Sequence, residues 1–211
     1  MLPIIDAITQ ENVRAKRVPK GQILFYQGDL PDRIYILEEG IVKLHDIDDG
    51  GSEKILHLLG PTAILPLAFF SGPNYATHWF YTTLTECLVV SMTATDLRLK
   101  MSNDGDLALL LVNWFSQELH EILVRLSSLG KSTTQEKIIA ALKFLALKHA
   151  KDTRHGWCKV NFPVNHQLLA DITGITRESV TMNMGMLMSR KIIKAPGHGV
   201  LYINHKKLSS E

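Results

Sequence analysis

Short apolar runs, each followed by turn-forming or polar residues, occupy the chain from Arg14 to about Thr95. The runs are residues 22–26, 34–37, 41–47, 54–59, 81–85 and 87–92. Gly, Asp or Pro closes the first four runs, and the last two are rich in β-branched residues, so each has the length and ends of a β-strand. Regular spacing with glycine turns predicts an antiparallel sandwich or barrel.

The hydrophobic period changes after Asn103. Seven residues then recur at alternating spacings of four and three: Ala108, Val112, Phe115, Leu119, Ile122, Leu126 and Leu129. We call these residues the seam. A second row, Leu107, Leu111 and Trp114, flanks its N-terminal half. Two rows predict one long helix that packs on its own domain with one side and on a parallel partner helix with the other. The alternative is a single helix buried within its own protein.

A helix-turn-helix is predicted between Asn165 and Arg190. Asn165 is a favourable N-cap for a helix over residues 166–173, and Gly174 can adopt the positive φ of a tight turn. Thr176 is a second N-cap, for a helix that ends near Arg190. This arrangement can place the second helix in the major groove of DNA.

Further elements surround this motif. Residues 135–149 carry apolar positions on one side of a helix, and residues 157–162 alternate like a strand. Residues 191–194 and 200–203 flank a Pro-Gly-His-Gly turn and predict a β-hairpin wing.

The charge is distributed unevenly along a chain whose formal net charge is +2. Residues 1–130 contain 10 Lys or Arg and 16 Asp or Glu, whereas residues 131–211 contain 13 and 5, a net charge of +8. Together with the helix-turn-helix, the basic C-terminal part predicts double-stranded DNA as a partner. The alternatives are a chance asymmetry of a solvated surface and a haem-sensing or small-molecule-sensing regulator that acts through a protein partner.

The start of the second helix supplies the candidate base-reading side chains. Arg177 suits a bidentate bond to guanine, and Glu178 can accept from cytosine, although the two could also form a surface ion pair. Thr181 and Met182 can meet a thymine methyl group or the DNA backbone. The full set predicted to contact DNA is Asn165, His166, Thr176, Arg177, Glu178, Ser179, Thr181, Met182 and Lys191.

Several other classes of protein are not expected. The two cysteines, Cys87 and Cys158, lie far apart, which argues against a disulfide framework or a zinc site. The sequence contains no phosphate loop, no nucleophile elbow and no pair of metal ligands at helical spacing, so no motif in it indicates an enzyme. No apolar run approaches the ~20 residues of a membrane span, and residues 1–6 do not resemble a signal peptide. We therefore expect a cytoplasmic protein with no membrane partner.

Two parts of the chain resemble the Crp/Fnr family, which is named after the cyclic-AMP receptor and the fumarate-nitrate-reductase regulator. The N-terminal resemblance lies in residues 20–29, 34–40 and 42–44, and the C-terminal resemblance lies in residues 169–180. Because it runs through nearly the whole chain in the same order, the resemblance implies the general fold and role of that family.

The implied fold class is α+β. It comprises a β jelly-roll sensor domain of the cyclic-nucleotide-binding type over residues 1–103, a long dimerisation helix over residues 104–130, and a C-terminal winged helix-turn-helix domain over residues 131–211. The resemblance further implies a homodimer on a palindromic operator, and RNA polymerase is an additional candidate partner.

The chain departs from that family at the cyclic-AMP site. Family members that bind cyclic AMP carry Phe-Gly-Glu and then Arg-Ser, in which the Glu holds the ribose hydroxyl and the Arg pairs with the phosphate. Here Leu65 stands in place of the Glu and Thr77-His78 in place of the Arg-Ser. A buried phosphate without the Arg would be an unpaired charge, so we expect no response to cyclic AMP.

Two further departures follow from the sequence. The oxygen-sensing branch of the family carries a cysteine cluster near its N-terminus, whereas no cysteine precedes Cys87 here, so we expect no iron–sulfur cluster. The family often has a third base-reading Arg where this chain has Met182, so the half-site sequence should differ.

An apolar cassette, residues 64–70, stands where the family binds the nucleotide. It could be a filled core without a ligand, the site of an unknown organic effector, or a haem site with His78 or His57 as the ligand. We expect no obligatory cofactor and no metal site. The candidate effector pocket consists of Ile64, Leu65, Leu67, Phe69, Thr77 and His78.

Overall fold

The structure, a computed structural model, describes Ile8 and residues 15–72, 74–153 and 156–210. The expectation that no signal peptide is present concerns residues 1–6, which lie outside the described residues. The chain divides into two compact units, Met1–Leu119 and His120–Glu211. The division falls within the long helix, and the three segments given by the sequence, residues 1–103, 104–130 and 131–211, stay a prediction.

The N-terminal unit is built on two four-stranded sheets of antiparallel strands. One sheet has the order β1-β8-β3-β6 and the other has the order β2-β7-β4-β5. The strands are β1 Ala15–Val18, β2 Ile23–Phe25, β3 Arg33–Glu39, β4 Val42–Ile47, β5 Glu53–Leu59, β6 Ile64–Leu65, β7 Phe80–Thr83 and β8 Cys87–Thr93. All six apolar runs form strands, and the predicted β-rich sensor domain is confirmed.

A 3-10 helix and an α-helix accompany these sheets in the part of the chain from residue 15 onwards that the structure describes. A 3-10 helix, Leu67–Ser71, follows β6. Helix α1, Ala94–Asn103, begins directly after β8, where the Thr93 hydroxyl caps it by accepting from the Asp96 amide at 3.0 Å. The hydrophobic core lies between the sheets and includes Ile36, Leu65 and Tyr81.

The long helix, α2, runs from Gly105 to Leu129. Its second row, Leu107, Leu111 and Trp114, belongs to the core of the N-terminal unit, as predicted. The seam remains largely outside: Val112 is 57% exposed and Leu126 is 63% exposed. One side of the helix therefore packs on its own sensor domain while the seam carries large apolar side chains without cover in the single chain.

The C-terminal unit combines four short or medium helices with a four-stranded sheet of order β11-β12-β10-β9. The helices are α3 Thr134–Lys148, α4 His166–Thr173, α5 Arg177–Ser189 and α6 His205–Ser209. The strands are β9 Ala150–Asp152, β10 Trp157–Val160, β11 Ile193–Gly197 and β12 Val200–Asn204. The predicted winged helix-turn-helix is thus present, with β11 and β12 forming the wing hairpin.

The core of this unit forms around α3. Ile138, Leu142 and Leu145 are fully buried on one side of that helix, as its periodicity predicts. Thr133 and Glu136 form a reciprocal capping box at its N-terminus, which fixes where the helix begins. Among the described residues, no helix is both long enough and apolar enough to cross a bilayer.

Candidate functional site

The turn between α4 and α5 has the conformation that the sequence predicts. The Asn165 side chain caps α4 by accepting from the Leu168 amide at 2.7 Å. Gly174 ends α4 with φ 67°, and its amide donates to the Ala170 carbonyl at 2.8 Å. A residue with a side chain would be strained at this φ, so glycine permits the tight corner.

The start of α5 presents two charged side chains to solvent. The Thr176 hydroxyl caps this helix by accepting from the Ser179 amide at 3.2 Å, and it also bonds the Ser179 hydroxyl at 3.0 Å. Arg177 and Glu178 in the first turn are exposed. Thr176 and Ser179 therefore hold the helix start in shape, and Arg177 and Glu178 are the side chains that project from it.

A side-chain bridge joins α4 to α5 on the predicted DNA-contacting surface. The Thr181 hydroxyl donates to the Arg177 carbonyl at 2.9 Å. The His166 Nδ1 lies 2.8 Å from the Thr181 hydroxyl oxygen. Because a hydroxyl has a single hydrogen, Thr181 accepts from His166, so Nδ1 carries a proton. Of these two predicted residues, Thr181 is committed to internal bonds, and the ring of His166 is oriented by it.

The opposite side of α5 anchors the helix in its domain. Val180, Met184 and Leu187 are buried there. Asn183 is also buried, and its amide donates to the Ser179 carbonyl at 2.8 Å. Met182 lies on the other side of α5 from these residues and is 62% exposed. The contacts that pack α5 on its domain therefore do not involve its outer face.

A buried arginine supports the motif from α2. Arg125, only 7% exposed, donates to the Ile172 carbonyl in the last turn of α4 at 2.8 Å. Burial lowers the pKa of Arg125 to about 10, so the guanidinium stays charged at neutral pH. Arg125 was not among the residues predicted from the sequence. The signal was present, because the second row continues at the same spacing through Glu118, Glu121 and Arg125.

The wing lies beside the C-terminal end of α5. Lys191, the last residue of the predicted DNA-binding set, is exposed directly after that helix, with φ 55°. Lys194 lies over the Trp157 ring, with its ammonium nitrogen 4.2 Å from the ring centre. Gly199 in the hairpin turn faces Pro163 so closely that an added Cβ would come within 2.8 Å of the Pro163 Cβ. The close approach explains why glycine is needed there.

The apolar cassette of the sensor domain is well packed. Ile64 and Leu65 are fully buried in β6, and Phe69 is buried in the 3-10 helix. The Leu67 amide at the start of that helix donates to the Tyr81 hydroxyl at 3.0 Å. Burial raises the pKa of Tyr81 to about 12, so its hydroxyl is neutral.

Thr77 and His78, which stand in place of the family's Arg-Ser, have different environments. Thr77 is buried, and its hydroxyl donates to the Tyr26 carbonyl. Its main chain also bonds both ways to the loop before β3: its amide donates to the Asp29 carbonyl and its carbonyl accepts from the Gly28 amide, each at 2.8 Å. His78 is exposed instead. Of the six predicted pocket residues, His78 is the one on the surface.

The two histidines considered as haem ligands differ in exposure, since His57 is buried and His78 is exposed. His57 is buried in β5, and its Nε2 lies 3.0 Å from a carboxylate oxygen of Glu118. Its use as a haem ligand through Nε2 would require breaking that bond. The exposed ring of His78 lies 5.5 Å from the Tyr75 ring and 5.9 Å from the Trp79 ring, measured between centres. Neither arrangement favours haem over the other two interpretations.

Comparison with known protein families matches both units. The family model described as a cyclic nucleotide-binding domain matches residues 15–104, and the one described as a Crp-like helix-turn-helix domain matches residues 136–210. Together these two matches cover most of the chain, in the order that the sequence resemblance implies.

Curated relatives and solved structures agree with these matches. The "CRP-like cAMP-activated global transcriptional regulator" of Mycobacterium tuberculosis is 25% identical over 207 residues, which are 97% of this chain and 90% of that protein. The "Transcriptional regulator SdrP" of Thermus thermophilus is 28% identical over 189 residues, 87% of this chain and 86% of that protein.

Among solved structures, that of FixK2 from Bradyrhizobium japonicum superposes with a TM-score of 0.81 at 17% identity, covering 95% of this chain and 97% of the other. At that identity the likeness concerns the fold. With the two domain matches, the relatives and the helix-turn-helix geometry together, the chain belongs to the Crp/Fnr family of DNA-binding transcription regulators.

Proposed function

We propose that this regulator binds a two-fold symmetric operator as a homodimer, and that it does so without cyclic AMP. The role is regulatory rather than enzymatic. The observation that carries the proposal is the exposed apolar seam of α2 in a chain whose recognition helix α5 also presents its first turn to solvent.

The seam supports a pair of parallel helices. Val112, Phe115, Leu119 and Leu126 are all exposed in the single chain, although large apolar side chains at heptad spacing are normally covered by a partner helix. A second copy of this chain has the same seam, so a two-fold axis parallel to the paired helices would cover both. Two recognition helices related by that axis would require an operator with matching symmetry.

The DNA contacts divide by chemistry. Arg177 and Glu178 are the proposed base readers at the start of α5, and Met182 lies one turn after Glu178 on the exposed side of the helix. Asn165, His166 and Lys191 are the proposed phosphate contacts, which position the domain without reading sequence. Thr176, Ser179 and Thr181 support the surface through the bonds described above.

The sensor domain supports independence from cyclic AMP. Leu65 is fully buried among apolar side chains, where a ribose hydroxyl would find no carboxylate. Thr77 offers a short hydroxyl that already donates to Tyr26, where the phosphate would need a cation. Binding of an apolar effector by the six pocket residues stays a prediction. A contact with RNA polymerase and a cytoplasmic location stay predictions as well.

The test of DNA recognition starts from in vitro selection of random-sequence duplexes with the full chain. Fluorescence anisotropy on the selected duplex then measures affinity over a salt series, with and without cyclic AMP. We expect a palindromic consensus, affinity that falls linearly on a log–log plot against salt concentration, and identical curves with and without the nucleotide. Binding that requires cyclic AMP would contradict the proposed independence, and enrichment of no sequence would contradict the DNA-reading role.

The test of dimerisation compares Leu126→Glu with Gln117→Glu, which places the same charge on the opposite side of α2. Sedimentation velocity should show a dimer for the wild type and for Gln117→Glu. Leu126→Glu should be monomeric and should bind a full operator weakly, because only one half-site is engaged at a time. A monomeric wild type would contradict the proposal.

A further inference from the structure

The recognition helix has an outer face that carries no charge beyond its first turn. After Glu178, the next charged residue of the chain is Arg190. Since each residue turns an α-helix by about 100°, Glu178, Met182 and Gly185 lie nearly in line on the side opposite the buried Val180. Met186 lies beside this line. We call Met182, Gly185 and Met186 the methionine strip.

The strip is not part of the domain core. Met182 is 62% exposed and Met186 is 42% exposed, whereas Val180 and Met184 on the other side of α5 are buried. Gly185 has open space around its Cβ position and no positive φ, so neither packing nor backbone geometry in the described structure requires glycine there. The strip is therefore available to a partner that approaches the outer face of α5.

The Thr181 hydroxyl, which lies beside the strip, is already engaged. Thr181 donates to the Arg177 carbonyl and lies within 2.8 Å of the His166 Nδ1. A thioether has no hydrogen to donate and accepts only weakly, so Met182 and Met186 cannot pair with the polar atoms of a base edge. In the major groove, the one apolar group on a base edge is the 5-methyl group of thymine.

We propose that Met182, assisted by Met186, reads the 5-methyl groups of thymines in each half-site. This inference rests on the proposed operator binding and names what part of the operator this face of the helix selects. Flexible, polarisable thioethers pack well against a methyl group. They disfavour cytosine or guanine at the same place, because the polar edge of that pair would lose its water without gaining a hydrogen bond.

The test replaces thymine by deoxyuridine, which removes the methyl group and leaves the pairing unchanged. The selected operator is synthesised with deoxyuridine at one thymine position at a time, in both half-sites together. Anisotropy titrations at one salt concentration then compare the full-length wild type with Met182→Ala, Met186→Ala and Met188→Ala. Met188 is the matched control, because it is an exposed methionine of the same helix that lies about 120° away from Met182.

We expect at least one thymine position at which deoxyuridine weakens wild-type binding by about fourfold for each methyl group lost, or about fifteenfold for both half-sites. Met182→Ala should bind the thymine operator more weakly and should lose most of that penalty. Met186→Ala should lose part of it. Met188→Ala should keep the full penalty.

The inference and the proposed function fail in different ways. If the protein binds the selected operator tightly but no deoxyuridine position weakens binding, or if Met182→Ala keeps the whole penalty, the methyl reading is wrong while the DNA-binding role stands. A selected half-site without thymine has the same meaning. If selection enriches no sequence, the proposed operator binding is itself wrong, and the inference falls with it.

Discussion

The guanidinium of Arg125, near the end of α2, donates a hydrogen bond of 2.8 Å to the main-chain carbonyl of Ile172 in the last turn of α4. Carbonyl groups at the end of a helix have no hydrogen-bond donor within the helix. Arg125 provides a donor for one of them, which would otherwise have to accept from water. The last turns of the long helix thereby hold the first helix of the DNA-reading motif.

Replacement of Arg125 by Met should loosen α4. The substitution keeps an unbranched side chain but removes a charged donor, and a hydrogen bond to a charged group is worth about 1.5–3 kcal/mol. Hydrogen exchange followed by mass spectrometry should show faster exchange in peptides that cover α4. Arg17→Met is the control, because Arg17 forms an exposed ion pair with Glu86 and such pairs contribute about 1 kcal/mol or less. Unchanged α4 exchange would mean that the bond contributes little.

Replacement of Gly185 by Ala should separate stability from DNA binding. Alanine is favoured over glycine inside a helix by about 1 kcal/mol, and the added methyl group meets no atom within 4 Å. Thermal unfolding should therefore shift upwards. The same methyl group would stand within the methionine strip, so affinity for the selected operator should fall. If Gly185→Ala is more stable and binds the selected operator as tightly as the wild type, the outer face of α5 does not enter the major groove.

Replacement of Tyr81 by Phe should destabilise the sensor domain. The buried hydroxyl accepts from the Leu67 amide, and loss of a partner for a buried donor costs about 1–3 kcal/mol. Calorimetry of the full chain should show a lower transition temperature for this variant. Tyr26→Phe removes the hydroxyl from an exposed side chain. This control should change the free energy of unfolding by about 0.5 kcal/mol or less. Equal effects of the two changes would show that the Leu67 bond is unimportant.

The capping box of α3 should make stability depend on pH. The hydrogen bond with the Thr133 side chain, followed by that with the Thr133 main-chain amide, lowers the pKa of the Glu136 carboxyl group below its ordinary value. A carboxyl group with a lowered folded-state pKa stabilises the fold fully above its unfolded-state pKa, and this stabilisation is lost as the pH falls through the folded-state value.

Thermal unfolding at pH 7 and at pH 3 should reveal this effect in Glu136→Gln. The wild type should melt above the variant at pH 7, and the difference should shrink at the lower pH. Thr133→Ala provides the control, because without the threonine hydroxyl the same Glu136→Gln change should alter the pH dependence much less. A difference between wild type and Glu136→Gln that stays constant with pH would contradict the assignment.

The elements with a strong period were predictable from the sequence, whereas several of the short ones were not. The heptad spacing predicted α2, and the caps Asn165 and Thr176 predicted where α4 and α5 begin. Strand β6 has only two residues, which is too short for a period to be visible. No strand was predicted at Ala150–Asp152, which forms β9 because β10 pairs with it. Helix α1 was also missed, since its apolar residues are few.

The candidate site was predictable where it depends on local sequence. Caps and the glycine turn act over three or four residues, so the helix-turn-helix could be derived in detail. Arg125 and Ile172 are 47 residues apart, and their contact depends on tertiary packing. The seam-flanking row did hold a clue: after Trp114 it continues with charged residues that face inward, and inward charges normally have specific partners.

The bonds of Thr77 also bear on how this sensor can evolve. Its hydroxyl and both of its main-chain groups tie the loop before β7 to the loop before β3. An arginine in its place would bring a charge to a buried position and give up the bond to Tyr26, while a glutamate in place of Leu65 would put a second charge into the core. Because either substitution alone would leave an unpaired charge in the core, a cyclic-nucleotide pocket of that kind requires both substitutions together.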